Sequence, residues 1–451
     1  MTDTKGNNYF TPLFQSTMYK FFYSFVVALF FIAATTTCSV QKKGKANTMV
    51  ASTSEVARIE NFLASDEMRG RKTGSPEIDK AADFIAAEFK KAGLQPLAGG
   101  TYLQEFVMLR PRLGELKYTA GGADVDRKNI IVITSQPLLN VDEKSGYAVA
   151  SISAGENLFS KAQSIMAQKK NTIVLVDTSL TKNFGRLTGL KRQIFQSPFS
   201  TIFILGGSLS NGFTITATHS FEETKFKNVV GILPGKSRKE EQVIFSAHYD
   251  HLGIGKPQEG DSIYNGANDD AAGTTAVIVL ADHFKKLGNN ARTLVFVAFT
   301  AEEIGGFGSQ YFSQQMNPAT ITAMFNIEMI GTESKWGRNS AFITGFDKTN
   351  MGEILQANLK GSAFQFYPDP YPDQQLFYRS DNATLARLGV PAHTISTSKM
   401  DSEPNYHKAS DEVSTLDLDN MAQIIKAIAE SSRTIISGKD TPSRVKAEGM
   451  N

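Results

Sequence analysis

The sequence predicts an α/β protein, with a mixed, mostly parallel sheet sandwiched by helices and an inserted, mostly β module. Three observations carry this. From Asn228 onward, short apolar runs alternate with helical patterns. Upstream, two amphipathic segments carry helix start and stop signals. Between them, from about residue 110 to 222, β-like runs are broken by loops, and acids and histidines do not cluster.

Taken in order, residues 55–63 read as a helix with Val56, Ile59, Phe62 and Leu63 on one face. In the second helix, Ser75 is the N-cap and Pro76 opens the first turn. Ile78, Ala81, Ala82, Ile85 and Phe89 form its stripe, and Gly93 follows the last turn. The middle stretch offers strands at 130–134, 172–176 and 201–205. Strands are then expected at 229–233, 243–246, 294–299, 323–327 and 392–396. The helices between and after them fall at 273–287, 309–315 and 418–436. No internal repeat is visible. The expected plan is a main domain at 54–109 and 223–438, the inserted module at 110–222, and a polar tail at 439–451.

Of the 451 residues, 41 % are apolar and 20 % charged, with 36 Gly and 15 Pro, which excludes a collagen-like, disordered or polytopic membrane chain. Forty-seven basic side chains against 45 acidic ones leave a net charge of +2, so charge argues against nucleic acid as a partner. One cysteine excludes an intramolecular disulfide and a cysteine-rich zinc cluster. A tight metal site here must be built from His, Asp and Glu.

The N-terminus has its own signal. Residues 21–37, FFYSFVVALFFIAATTT, follow Lys20, end in small residues before Cys38, and give way to Lys42, Lys43 and Lys45. This fits a secretory leader over residues 1–37, well proportioned if the true start is Met18, followed by a linker at 38–53. Cys38 sits where a bacterial lipoprotein signal places its acylated cysteine. Thr37 before it departs from the usual Gly, Ala or Ser. The expectation is an exported protein, lipid-anchored at the outer surface or in the periplasm, otherwise secreted. Membrane association would run only through this leader or lipid.

The chemistry-bearing residues gather after strands, where α/β sheets collect functional groups. Strand 243–246 runs into His248 and Asp250, which share a face two residues apart, so that a carboxylate accepts one ring N–H while the other nitrogen is free for a metal. Alone, such a pair is common at solvated strand ends. Next comes Asn265-Gly-Ala-Asn-Asp-Asp-Ala-Ala-Gly273, where Asp269 and Asp270 precede a helix. Helix capping explains two acids there, but the small residues argue for a loop packed closely against something. Strand 294–299 ends in Glu302-Glu303, whose mutual repulsion a divalent cation would relieve for one, leaving the other as a base. Strand 323–327 ends in Glu328, a charge in an apolar run that is costly unless paired or metal-bound. Tyr406 and His407 lie in a late polar loop, followed by Asp411. His251 reads as a supporting or surface residue, and His219, His283 and His393 read as structural. Trp336 and Phe342 read as packing.

Jointly, order, strand-end placement and residue types resemble the zinc aminopeptidases of peptidase family M28, over roughly residues 55–107 and 224–436. The resemblance implies a zinc-exopeptidase-like fold with two zinc ions. His248 and Glu328 would complete opposite metal sites, Asp269 would bridge both ions, and Glu303 and His407 would supply the remaining ligands. Glu302 would be the general base, Asp250 would orient His248, and Tyr406 would hydrogen-bond the tetrahedral intermediate. One departure stands at Glu328, where the family more often has Asp. The added methylene bears on metal spacing. The family's late-loop His after Ser-Asp is Asn382 here, at a position that is not a ligand. The inserted module weakly resembles the protease-associated module found in this family.

With no thiol beyond Cys38 and no G-x-S-x-G elbow, the chain points away from a covalent nucleophile and towards a metal-activated water. The expected activity is exopeptidase, an aminopeptidase acting on peptides. Two alternatives stay open: a glutaminyl cyclase-like transferase on the same scaffold, and a catalytically dead surface binding protein. The complete ligand set argues against the second.

Overall fold

The computed structural model describes residues 51–206, 209 and 212–446, all within one compact unit. The leader and Cys38 lie outside the described residues. Helix α1, Thr53–Leu63, starts where the Ser52 side chain accepts from the Glu55 N–H. Helix α2, Pro76–Ala92, is capped as expected: Ser75 accepts from the Ile78 N–H, and Gly93 closes the helix in the left-handed conformation at φ 79°. Ile78, Ala81, Ala82, Ile85 and Phe89 are buried along one stripe.

The main sheet contains β1, Leu103–Ala120; β2, Thr214–Leu233; β3, Arg238–His248; β4, Arg292–Phe299; β5, Ile321–Ile327; β6, Ser340–Ile343; β7, Gln365–Pro368; and β8, Ala392–Ser396. Its order is β7-β6-β8-β5-β3-β4-β2-β1. The centre, β4-β3-β5-β8, is parallel, while β2 and β1 extend it antiparallel at one side. This is the expected mixed sheet. Helices α3, Ala272–Leu287; α4, Phe307–Gln315; α5, Met351–Asn358; and α6, Leu418–Ser431 complete the frame. Parallel strands covered on both faces read as continuous apolar runs, and β4 and β5 are buried at every position. One face, with Val243, Phe245 and Phe296, packs with α1, α2, α3 and α6; the other, with Ile244, Val295 and Val297, packs with Phe312 of α4. Phe245 stacks on Phe325 at 4.8 Å and on Phe296 at 5.5 Å, which locks the three central strands side by side. Each such ring contributes about 1.5–3 kcal/mol by burial, so the strand ends that follow are rigidly placed.

Two features differ from the sequence expectation. Strands β1 and β2 pair from Leu103↔Val229 out to Thr119↔Thr214, so residues 110 and 222 fall inside continuous strands and not at a boundary. Their alternating polar positions hide their length from a search for apolar runs. The module between them is also layered α/β. Its four strands lie in the order Ile130–Ile133, Thr201–Leu205, Thr172–Val176 and Ala148–Ile152. Helix Leu158–Ala167, capped by Asn157, buries Ala162 and Ile165 on one face of that sheet. Tyr118, Ile215 and Ala217 from the β1–β2 hairpin pack on the other. In the expected tail, the buried Arg292 donates to the Asp440 carbonyl at 2.6 Å, and Val445 is buried with its N–H on the Gly389 carbonyl. That stretch is docked through residue 445.

Candidate metal centre

Register brings the site together. In the parallel pair β3–β5, Ser246 lies opposite Asn326, so His248 and Glu328, each two residues on, emerge at the same height. In β3–β4, His248 lies opposite Phe299, and the chain leaving β4 reaches Glu302 and Glu303 at that same edge. Three non-glycine residues here hold positive φ: Ala301 at 61°, Met329 at 53° and His407 at 55°. Such backbone costs about 1–3 kcal/mol per residue and persists where its surroundings fix it. At Met329 they do: its N–H donates to Asp270, and its carbonyl accepts from the Thr397 N–H and hydroxyl.

The bends are clasped by buried charges. Arg71 donates to the carbonyls of Tyr249, Leu63, Asn265 and Gly266 at 2.5–2.8 Å, tying the end of β3 to the following loop. Asp411 accepts the N–H groups of Asn268 and Asp269 at 2.8 and 3.0 Å. Asp270 accepts those of His248, Gly273 and Met329 at 3.0–3.3 Å, joining three strand-end segments. The loop does pack closely. A Cβ on Gly273 would lie 2.1 Å from the Ile327 carbonyl oxygen, and Gly266, at φ 59°, abuts the His251 ring.

At the centre, His248 Nε2 lies 3.2 Å from Asp269 Oδ1, and His407 Nε2 lies 3.3 Å from Asp269 Oδ2 and 3.2 Å from Glu303 Oε2. His251 Nδ1 is 2.8 Å from Glu303 Oε1. Asp250 sits differently from expectation. His248 Nδ1 meets the Asp250 backbone carbonyl at 3.1 Å, whereas the nearer carboxylate oxygen is 3.8 Å away. That carboxylate accepts instead from the N–H groups of Glu302 and Glu303 at 3.0 and 3.4 Å and from the Thr73 hydroxyl at 2.9 Å. It braces the glutamate turn. Tyr406 stacks on His407 with ring centroids 3.9 Å apart. Asn382 is structural, donating to the Phe377 and Ala392 carbonyls.

Electrostatically the cluster is short of positive charge. Burial, with Glu328, Asp381 and Glu303 adding to it and His248 opposing, holds Glu302 well above the usual carboxylate range. Burial likewise pushes Glu328 up to about 7 and Asp381 to about 6. Asp269 goes the other way: against burial, His248 and His407 hold it well below its ordinary value. Contacts to Asp269 and Glu303 push His407 up to about 10. Burial, then the charges of Asp269, Glu303 and Glu328, raises the Tyr406 phenol, which keeps its proton.

The donor set fits divalent cations. His248 Nε2, Glu303 Oε1 and Glu328 Oε2 are buried without a hydrogen-bond partner, although His248 Nε2 and Glu303 Oε1 approach other members of the cluster closely. The ligand atoms of His248, Asp269 and Glu328 all lie within 4.8 Å of one another, as do those of His251, Asp269 and Glu303. Asp269 belongs to both groups. Histidine and carboxylate donors without thiolate suit hydrolytic zinc. The structure therefore brings together His248, Asp250, Asp269, Glu302, Glu303, Glu328, Tyr406 and His407. It adds His251, Asp270, Asp411, Asp381 and Arg71. The crowding of two histidines and an acid into residues 248–251 was the signal for His251; nothing local in the sequence marks Arg71.

Residues 228–432 match the family model "Peptidase family M28". A probable leucine aminopeptidase of Trichophyton verrucosum is 31 % identical over 208 residues, covering 44 % of this chain and 54 % of that protein. The leucine aminopeptidase 1 of Trichophyton equinum is 26 % identical over 233 residues, 49 % of this chain and 61 % of the relative. The chain thus spans little more than half the length of these curated relatives. Among solved structures, the zinc aminopeptidase from Bacillus subtilis aligns with a TM-score of 0.51 at 17 % identity, covering 88 % of this chain and 98 % of that one, a likeness of fold. The strand-end cluster from His248 to His407 lies inside the segment that matches the peptidase family M28 model, so the chain is similar to that family where its candidate metal centre sits.

Proposed function

We propose that this protein is an exported zinc-dependent exopeptidase, an aminopeptidase that removes N-terminal residues from peptides. The observation that carries the reading is Asp269, whose two oxygens face two separate His–carboxylate groups, with the half-buried Glu302 beside them. His248, Asp269 and Glu328 would hold one ion; Asp269, Glu303 and His407 would hold the other. His251, on the far oxygen of Glu303, orients that ligand. Bound zinc supplies Lewis acidity and lowers the pKa of water towards neutrality. Glu302 accepts the proton of the attacking water on a carboxylate oxygen and returns it to the leaving amine. The Tyr406 hydroxyl donates to the oxyanion of the tetrahedral intermediate. A cavity of about 70 Å³ beside Glu302, with Met329, Phe342 and Met400 next to Thr344, Ser396 and Arg379 in its lining, has room for the side chain of the N-terminal residue.

A panel of aminoacyl and peptide chromogenic substrates, run with and without a chelator, tests this. Release of the N-terminal residue, lost on chelation and restored by zinc, is expected. Chelator-insensitive cleavage, or cyclisation of N-terminal glutamine without hydrolysis, contradicts it.

Export rests on the leader over residues 1–37, and anchoring on Cys38. Cys38→Ala should move mature protein from the membrane fraction to the soluble exported fraction with its activity intact. Wild-type protein already soluble there contradicts the anchor.

A further inference from the structure

The turn carrying Glu303 borders a second, much larger space. A cleft of about 2480 Å³ runs between the inserted module and the sheet domain, with Glu303, Ile304 and Gly305 in its wall. Pockets for drug-sized ligands span roughly 300–1,000 Å³, so this cleft is too large for one amino acid and suits an extended chain. The 70 Å³ cavity beside Glu302 is where a single side chain fits.

The two walls are held in fixed relation. Phe195 of the module lies edge-on to Phe307, with centroids 6.0 Å apart, and its neighbour Ile194 pairs with Leu109 of β1. The lining has a distinct chemistry. Lys169, Lys170 and Arg192 come from the module, Lys348 and Arg387 from the sheet domain, and all five are exposed. Lys169, Lys170, Arg192 and Lys348 make no ion pair among the described residues. Counting Arg110, six basic residues line the cleft against three acids: Glu303, which is turned into the metal cluster, Asp347 and Asp369. A chain with 47 basic and 45 acidic residues has no such excess overall, so the charge is concentrated here. Phe199, Ile304 and Leu388, at 39 %, 47 % and 50 % exposure, also line this space, three of the nine large exposed apolar side chains among the described residues.

We propose that this cleft holds the peptide beyond the scissile bond and selects oligopeptides with acidic and apolar residues downstream of the N-terminal one. The inserted module is then a specificity wall. The inference rests on the aminopeptidase reading above. Cations lining a cleft concentrate an oppositely charged substrate and act on capture, so the preference belongs in KM and fades with salt.

The test uses the full chain, leucine p-nitroanilide, and three hexapeptides that share an N-terminal leucine and carry aspartate, alanine or lysine at the third to fifth positions. At low salt, kcat/KM for the acidic peptide should exceed that for the basic one by about tenfold or more, mainly through KM. The ratio should approach unity near 1 M salt, where the screening length is about 3 Å. The triple variant Lys169→Glu, Lys170→Glu, Arg192→Glu should invert the ratio, an internal comparison that survives any general loss of activity. Cleavage of leucine p-nitroanilide with equal use of the three hexapeptides overturns the inference and leaves the aminopeptidase reading standing. So does a ratio unchanged in the triple variant. No cleavage of leucine p-nitroanilide or of any hexapeptide overturns both.

Discussion

Glu302→Gln is expected to keep both zinc ions and substrate binding while losing on the order of 10²–10⁴ in turnover. The amide preserves shape and a polar head but accepts no proton from water. Glu303 is the control, because the two residues share charge, size and the same Asp250 clasp on their N–H groups. Their side chains diverge. Glu302 lines the small cavity with Asp269 and Tyr406, whereas Glu303 lies between His251 and His407. Glu303→Gln removes a charged ligand, so zinc affinity should fall and activity should recover in part at high zinc. Bound zinc and turnover, measured for both variants, decide the matter. Zinc lost from Glu302→Gln and kept by Glu303→Gln would mean that the roles are exchanged. Full activity in both would place the chemistry elsewhere.

Asp269→Asn is expected to lose zinc from both positions, because its two oxygens face His248 and His407 separately. The neighbouring Asp270 makes the comparison sharp. Its carboxylate accepts three backbone N–H groups and belongs to neither group of ligand atoms. Asp270→Asn turns an amide donor towards buried amide donors and should cost about 1–3 kcal/mol of stability for each group left unpaired. Thermal unfolding and zinc content should therefore separate two adjacent aspartates: Asp269→Asn folded and zinc-poor, Asp270→Asn destabilised. Equal zinc loss at equal stability would contradict the assignment.

The centre of the sheet and most of the site were legible in the sequence. Parallel strands buried on both faces write themselves as apolar runs, and a charge such as Glu328 ending such a run stands out. Capping signals at Ser75, Pro76 and Gly93 are local, and the helix they predict begins and ends there. The long strands β1 and β2 were not legible over their full length, because half-exposed positions such as Arg110, Arg112 and Glu222 break the apolar pattern. Nor was the role of the Asp250 carboxylate. Spacing places His248 and Asp250 on one face, but the bend after β3 turns that carboxylate towards N–H groups 52 and 53 residues further on. Arg71 and Asp411 act through backbone carbonyls and N–H groups of distant segments. Contacts of that kind leave no trace in the residue types they touch.

The proposed chemistry depends on a metal pair shared through Asp269, with Glu328 serving as a ligand to one ion. Anomalous diffraction at the zinc edge from zinc-loaded protein tests it most directly. Two zinc peaks per chain are expected, roughly 3.5–4 Å apart, with Asp269 between them, Glu328 and His248 on one, and Glu303 and His407 on the other. A single fully occupied peak held by Asp269, Glu303 and His407, with Glu328 turned away, would contradict it.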